Sequence, residues 1–419
     1  MKFARITLIA VLCCVCLIGA RAQATSRPVP ALPRLSNTLL VRFQPEASAA
    51  ERVAIVQRLN GTIVNEIAAL DIAVVNINPA LANGASLANV VSALNQIPAV
   101  EYAEPNVRFE IADQRAAQGD GSQRILVPIV AGIPAWIPND FHYGKQRNIW
   151  ERVNAPAGWH ITRGRSTTVI AIVDTGIYLR HPDLRSKLVP GNDFVGDREP
   201  ASPNDGHGHG THVAGIAAAV TNNTTGVAGT CPNCKLMPVR VLNDFGLGDL
   251  VAVAKGIVWA TDNGAKIINL SLVGYEESAA LNDALEYAWS KGVLPVCAAG
   301  NRNSNNPAVY PASNPRCLTV GATTNTDTKA SFSNYGPWVG IAAPGVDMYS
   351  TLLGNSYGTD SGTSMSAPMV AGAAGLLSGR GLNNAQLRQQ LCSAADRIAG
   401  TGAYWECGRL NIYRAVTGR

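Results

Sequence analysis

Three short stretches hold an aspartate, a histidine and a serine of the kind that build an activated nucleophile. They are Ala171-Ile-Val-Asp-Thr-Gly-Ile177, His209-Gly-Thr-His-Val-Ala-Gly215 and Gly362-Thr-Ser-Met-Ser-Ala-Pro368, giving the order Asp174, His209, Ser364. A serine hydroxyl is a weak nucleophile unless a base takes its proton. An imidazole does that best when a carboxylate fixes its tautomer. Pro368 suits the first turn of a helix, and the residues after it, Ala371-Gly-Ala-Ala-Gly375, are all small. Ser364 is therefore expected at the N-terminus of a buried helix, where outward N–H groups favour developing negative charge. Asn301 closes the apolar run Val296-Cys-Ala-Ala-Gly-Asn301 and offers an amide donor at a strand end. Singly, Asp174 passes for a turn residue, Ser364 for an N-cap and Asn301 for a turn asparagine. Their company makes the chemical reading.

His207, His209 and His212 crowd one stretch, which raises a metal site as a rival, but the His-Glu-x-x-His pattern is absent. His207 reads as a loop residue and His212 as a buried, hydrogen-bonded helix residue. A Gly-x-Ser-x-Gly elbow, expected of a secreted esterase, does not fit Gly362-Thr-Ser-Met-Ser366. A catalytically inactive peptide-binding chain should lack one of the three groups, and all are present.

The elements around these residues alternate between strands and helices. Residues 167–174 form an apolar, β-branched run of the type buried on both faces of a sheet, and 237–242, 265–272, 293–299, 317–322 and 339–342 look similar. Helical segments fall at about 209–220, 250–263 and 279–291. The pattern predicts an α/β fold, a mainly parallel twisted sheet with helices on both faces, from residue 139 to 416. In such folds chemistry gathers at the carboxyl ends of strands, where Asp174 and Asn301 stand. A smaller α+β domain is expected over 35–109, with strands at 38–43 and 72–77, helices at 49–59 and 87–95, and Val100-Glu-Tyr-Ala-Glu-Pro-Asn106 closing it. Residues 110–138, with Pro128, Pro134 and Pro138, read as a linker.

Lys2 and Arg5 precede an apolar run from Ile6 to Ala20, and small residues at 20, 22 and 24 offer cleavage sites, so residues 1–24 read as a secretory signal peptide. Nine cysteines are present, of which Cys13, Cys14 and Cys16 lie in that signal. The remaining Cys231, Cys234, Cys297, Cys317, Cys392 and Cys407 suit an exported, disulfide-bonded protein. Proximity pairs Cys231 with Cys234 and Cys392 with Cys407. Cys297 and Cys317 then pair by elimination, or stay as buried thiols. The net charge of +5 comes without a dense Lys/Arg run, which gives no support to a nucleic-acid or anionic-membrane partner.

Taken together, the motifs around Asp174, His209, Asn301 and Ser364 resemble those of the subtilisin-like serine proteases (subtilases), and the resemblance runs from about residue 139 to 416. Val220-Thr-Asn-Asn-Thr-Thr-Gly-Val-Ala-Gly229 looks most like the thermitase branch of that family. The resemblance implies a secreted endopeptidase in which Ser364 attacks, His209 is the base, Asp174 orients it, and Asn301 helps hold the oxyanion. It implies that 35–109 is an inhibitory propeptide which occupies the substrate groove and is cut off by the enzyme itself, within 110–138. It implies a peptide groove between Gly246-Leu247-Gly248 and Ser271-Leu272-Val273-Gly274, with Ala298 and Gly300 beside it. Val273 stands where the family usually has glycine, and its branched side chain narrows the first specificity pocket. A structural Ca²⁺ is implied at Asp140, Asp183 and Asn223 with the carbonyls of Val220, Thr225 and Val227, an all-oxygen set suited to that ion. A second cation site would use Asp193, Asp197 and Glu199. The family also implies a monomer, whose partners are protein substrates and its own propeptide.

Overall fold

Thr38–Phe43 alternates along its length, yet both of its faces are covered. Leu39, Val41 and Phe43 pack with Ile55, Val56, Val90 and Leu94, whereas Leu40 joins the large core of the rest of the molecule. The computed structural model describes residues 37–78, 86–112, 133–198 and 201–418. The signal-peptide reading, Glu199 and most of 113–138 lie outside the described residues.

The N-terminal part runs β1 (Thr38–Phe43), α1 (Ala49–Arg58), β2 (Gly61–Ile67), β3 (Ile72–Ile77), α2 (Leu87–Leu94), β4 (Val100–Pro105) and β5 (Arg108–Ile111). Its antiparallel sheet has the order β2-β3-β1-β4. Ser48 and Ser86 cap the two helices by accepting the amides of Glu51 and Asn89. Strand β2 has no sequence-level expectation. Exposed polar residues interrupt its alternation, and its register shifts at Ile63/Asn65.

The second part continues with α3 (Tyr143–Arg152), α4 (Ala155–Ile161), β6 (Val169–Asp174), β7 (Asn192–Asp193), α5 (His209–Ala218), β8 (Lys235–Arg240), β9 (Leu247–Asp249), α6 (Leu250–Asp262), β10 (Ile267–Leu270) and β11 (Leu272–Val273). It closes with α7 (Ala279–Ser290), β12 (Leu294–Ala298), β13 (Leu318–Thr323), β14 (Ile341–Pro344), β15 (Met348–Thr351), β16 (Tyr357–Asp360), α8 (Thr363–Ser378), α9 (Asn384–Ser393) and α10 (Ile412–Thr417). Seven strands form one parallel sheet in the order β14-β13-β12-β10-β6-β8-β7. Helices cover both faces: α5 packs against α8, and α6 against α7. Three disulfides join Cys231 to Cys234, Cys297 to Cys317 and Cys392 to Cys407, so the third pair is bridged, not left as thiols.

Three differences from the sequence reading matter for the site. The expected strand over 265–272 breaks at Ser271, and β11 leaves the large sheet. The expected linker begins with order: Glu110 and Ile111 end β5, which lies between β9 and β11 in a three-stranded antiparallel sheet. Helix α8 starts at Thr363, so Pro368 falls inside it instead of in its first turn. Proline has no N–H for the carbonyl four residues back, that of Ser364. The Ser271 hydroxyl donates to that carbonyl instead, at 2.9 Å.

Candidate active site

Strand β6 delivers Asp174 to the carboxyl edge of the large sheet, fully buried. A buried carboxylate must be met by donors. Its Oδ1 accepts the Thr175 amide and His209 Nδ1, each at 2.7 Å. His209 opens α5 after Gly208, whose φ of +106° is a left-handed conformation suited to glycine. Gly210 is needed for close approach, since a Cβ there would stand 2.1 Å from the Gly176 carbonyl. Asp205 steadies the same turn by accepting from the amides of His207, Gly208 and Thr211 and from the Thr211 hydroxyl. Asp205 was not singled out in the sequence, and its Asp-Gly-His-Gly setting is the turn signal that could have found it.

Ser364 is the second residue of α8, and its hydroxyl donates to the carbonyl of Ala112 at 3.0 Å. The Asn301 side chain has its orientation dictated by neighbours. The Thr363 amide and hydroxyl donate to its Oδ1 at 2.9 and 2.8 Å, which turns Nδ2 outward. Nδ2 donates to the same Ala112 carbonyl. One carbonyl oxygen is thus held by the two groups expected to meet a reacting carbonyl. Helices α5 and α8, which carry His209 and Ser364, pack on each other.

The chain leading to Ala112 lies in the expected groove. Leu272 pairs with Ile111, Val273 with Glu110, Leu247 with Glu110 and Gly248 with Phe109. Ile111 N–H donates to Gly246 O at 3.0 Å and Ala112 N–H to Ser271 O at 3.2 Å. Phe109 is fully buried, and a Cβ on Gly274 would come within 2.8 Å of its ring. Val273 and Ala112 are each 2% exposed, so a short side chain fills the space ahead of the held carbonyl. Ala298 ends β12, and Gly300 carries φ +95° to turn the chain toward Asn301. Asn269, a polar residue within the run Ile267-Ile-Asn-Leu270, was passed over in the sequence. Its amide donates to the Ser271 hydroxyl at 2.9 Å, continuing the chain of bonds to the Ser364 carbonyl.

The N-terminal part is fastened to this region by residues of the closing segment. Glu104 accepts from the Ser278 hydroxyl and the Ala279 and Ala280 amides at the start of α7. Burial raises its pKa, and those same donors oppose the rise. Tyr102 and Arg42 both reach Asp283 on α7, at 2.7 and 2.9 Å.

Of the histidines, His207 lies on the loop with Nδ1 accepting the His209 amide, and His212 is buried with Nε2 3.2 Å from Gly358 O. Among the described residues no group of three or more His, Cys, Asp or Glu is arranged to hold a metal. Three of the residues implied for Ca²⁺, Asp140, Asp183 and Asn223, stand together. Asp140 accepts the amides of Asn222 and Asn223. Asp183 accepts the Val227 amide and the Asn223 side chain, both at 2.8 Å. A Cβ on Gly226 would collide with Asp183 Oδ2, and Asn222, Thr224 and Gly226 all take positive φ to wrap this loop. Burial pushes Asp183 up to about 6, and the nearby Asp140 adds to the rise. Neither carboxylate pairs with Lys or Arg among the described residues, which leaves two buried acids short of positive charge. That donor set fits a hard cation.

Two of the three acids implied for a second cation site, Asp193 and Asp197, meet a guanidinium of the chain itself. Buried Arg240 takes Asp193 at 3.1 Å and Asp197 at 2.6 Å and reaches Asp244 at 3.1 Å. A fixed guanidinium supplies positive charge there, and the sequence hid it because Arg240 sits inside the apolar run 237–242.

The chain is similar to known proteins in sequence and fold. The Peptidase_S8 profile, described as the subtilase family, matches residues 165–408, and the Fervidolysin N-terminal prodomain profile matches residues 22–106. The chain is 41% identical to the thermophilic serine proteinase of Bacillus sp. (strain AK1) over 386 residues, 91% of this chain and 88% of that protein. It is 48% identical to thermitase of Thermoactinomyces vulgaris over 281 residues, 67% of this chain and 99% of that one. The solved structure of a protease from Pseudoalteromonas arctica PAMC 21717 superposes with a TM-score of 0.62 at 31% identity, covering 67% of this chain and 99% of that one.

Proposed function

This chain belongs to the subtilase family of serine proteases, and on that premise we propose that it is a secreted endopeptidase which cuts itself after Ala112. The observation that carries this reading is the Ala112 carbonyl, gripped by the Ser364 hydroxyl and the Asn301 amide while residues 108–111 lie as a strand in the groove. Ser364 Oγ attacks this carbonyl carbon and His209 takes the hydroxyl proton. Asp174, bonded to Nδ1, fixes the tautomer that leaves Nε2 for that transfer. Negative charge builds on the carbonyl oxygen, opposed by Asn301 Nδ2 and the Ser364 N–H. His209 then protonates the leaving amine of residue 113, and water releases the acyl group by the same path in reverse. The N-terminal part, Ala112 included, then stays as an inhibitor until it is degraded. Ala112 and Val273 together support a preference for small residues ahead of the cleaved bond.

Two measurements on the secreted protein test this. Its N-terminus should begin at Asp113 or later, and a fluorophosphonate probe should label Ser364 and abolish peptide hydrolysis. A secreted form that keeps residue 38 covalently attached, hydrolyses peptides and ignores the probe would refute the proposal.

Asp140, Asp183 and Asn223, with the carbonyls of Val220, Thr225 and Val227, would hold Ca²⁺, whose charge tethers the loop 220–227 to the start of the second part. Chelation of the mature enzyme should lower its unfolding midpoint by about 5–10 °C, read by calorimetry. Asp183→Asn should already melt low and respond little to chelator. A wild-type midpoint unmoved by chelator would remove the calcium assignment.

A further inference from the structure

The groove carries a charge-reading position that its main-chain pairing does not explain. Glu110 lies two residues ahead of Ala112, and its carboxylate stands 3.5 Å from the Arg302 guanidinium. Among the described residues it is the only carboxylate within ion-pair distance of Arg302. The guanidinium lies over the Tyr275 ring, 3.7 Å from its centroid, in a cation–π stack. Burial raises the pKa of the Tyr275 phenol, the stacked Arg302 opposes that rise, and the nearby Glu110 carboxylate adds to it.

Both partners grow from fixed backbone. Arg302 follows Asn301, and its amide donates to Asn334 Oδ1 at 3.0 Å. Tyr275 follows Gly274, whose N–H and C=O both pair with Tyr310, at 2.7 and 2.9 Å. One wall of the groove thus supplies an aromatic plane and a phenol, and the oxyanion turn supplies a cation stacked on it. Stacking restricts the arginine before any ligand arrives, which lowers the ordering cost of binding.

We propose that Arg302 and Tyr275 form a subsite selecting substrates with an acidic residue two positions before the residue whose carbonyl is attacked. The inference rests on the reading that residues 108–112 lie as a substrate does. When the N-terminal part leaves, the guanidinium loses Glu110, and a peptide carrying Glu or Asp at that position restores the pair. Lysine there would face Arg302 as a like charge. The pair is half-exposed, so the discrimination is modest and salt-sensitive.

The test uses the mature enzyme and acetyl-Phe-Xaa-Ile-Ala-p-nitroanilide with Xaa as Glu, Gln or Lys, at low ionic strength. The order of kcat/KM should be Glu, Gln, Lys, with Glu over Lys by about three- to tenfold. The difference should sit in KM, because the contact is equally strong in ground and transition states. High salt should flatten it. Arg302→Gln should level the series and Arg302→Glu should invert it. Ratios within one enzyme preparation do not depend on how much of it is folded.

A wild-type enzyme that releases nitroaniline equally from all three peptides would overturn this subsite while leaving the groove reading intact. Retention of the glutamate preference in Arg302→Glu would overturn it too. No cleavage after alanine in any of the three would remove both.

Discussion

Ser364→Ala should leave the protein at the mass of its uncut precursor and reduce casein hydrolysis by about a millionfold, the size this removal has in subtilisin, a relative of this chain. The substitution deletes one oxygen, and with it the hydrogen bond to the Ala112 carbonyl. It leaves the strand pairing of residues 108–111 with both walls of the groove, and the Glu104 and Asp283 contacts, in place. The variant should therefore fold with its N-terminal part seated and fail only in chemistry. Mass spectrometry of the secreted chain and a casein assay read the two halves of the result. A variant that still digests casein near the wild-type rate would end the assignment of Ser364 as nucleophile. One that processes itself after Ala112 at the normal rate would end the proposal of self-cleavage.

How far the sequence could be read follows the distance over which each feature is determined. Asp174, His209, Asn301 and Ser364 stood out because local demands mark their neighbours, as at Gly210, where only a hydrogen fits against the Gly176 carbonyl. The buried strands were legible for a similar reason: β6 is apolar on both faces, so composition alone identifies it. Their ends came out within about two residues, the usual slack of strand ends. The break at Ser271 was invisible because its cause is remote. Its hydroxyl caps a carbonyl freed by Pro368, and its own carbonyl takes the amide of Ala112. Strand β5 is four residues long with no period of its own, and it is a strand because β9 and β11 flank it. Arg240 reads as part of the apolar run 237–242 until Asp197, 43 residues upstream, folds onto it. Glu104 is one residue of the closing segment in the sequence, yet it caps a helix that begins 175 residues later.

Charge placement separates what binds from what reacts. The groove walls hold Ile111 and Ala112 through main-chain bonds, which any sequence can make, so they give affinity with little selectivity. On the proposed reading, selectivity comes from side-chain space: Phe109 against Gly274, a short residue beside Val273, and Glu110 against Arg302. Chemistry comes from donors that the fold orients before a substrate arrives. Thr363 illustrates this, because its two bonds to Asn301 Oδ1 decide which end of the amide faces the groove.

Asn301→Ala should lower kcat by about a hundred- to a thousandfold with little change in KM, the range that loss of the same kind of donor has in subtilisin. The ground-state carbonyl carries only a partial charge, whereas the tetrahedral intermediate carries a full one. A donor fixed in a water-poor site therefore gains most of its strength in the transition state. Asn301 is 5% exposed and has no freedom to turn, so the amide needs no reorganisation when charge develops. The loss corresponds to about 3–4 kcal/mol of barrier. Steady-state kinetics on one peptide nitroanilide separate kcat from KM, and active-site titration with a fluorophosphonate corrects for the folded fraction. A rise in KM at constant kcat would mean that Asn301 only binds the substrate. The oxyanion would then have to be held by the Ser364 N–H alone.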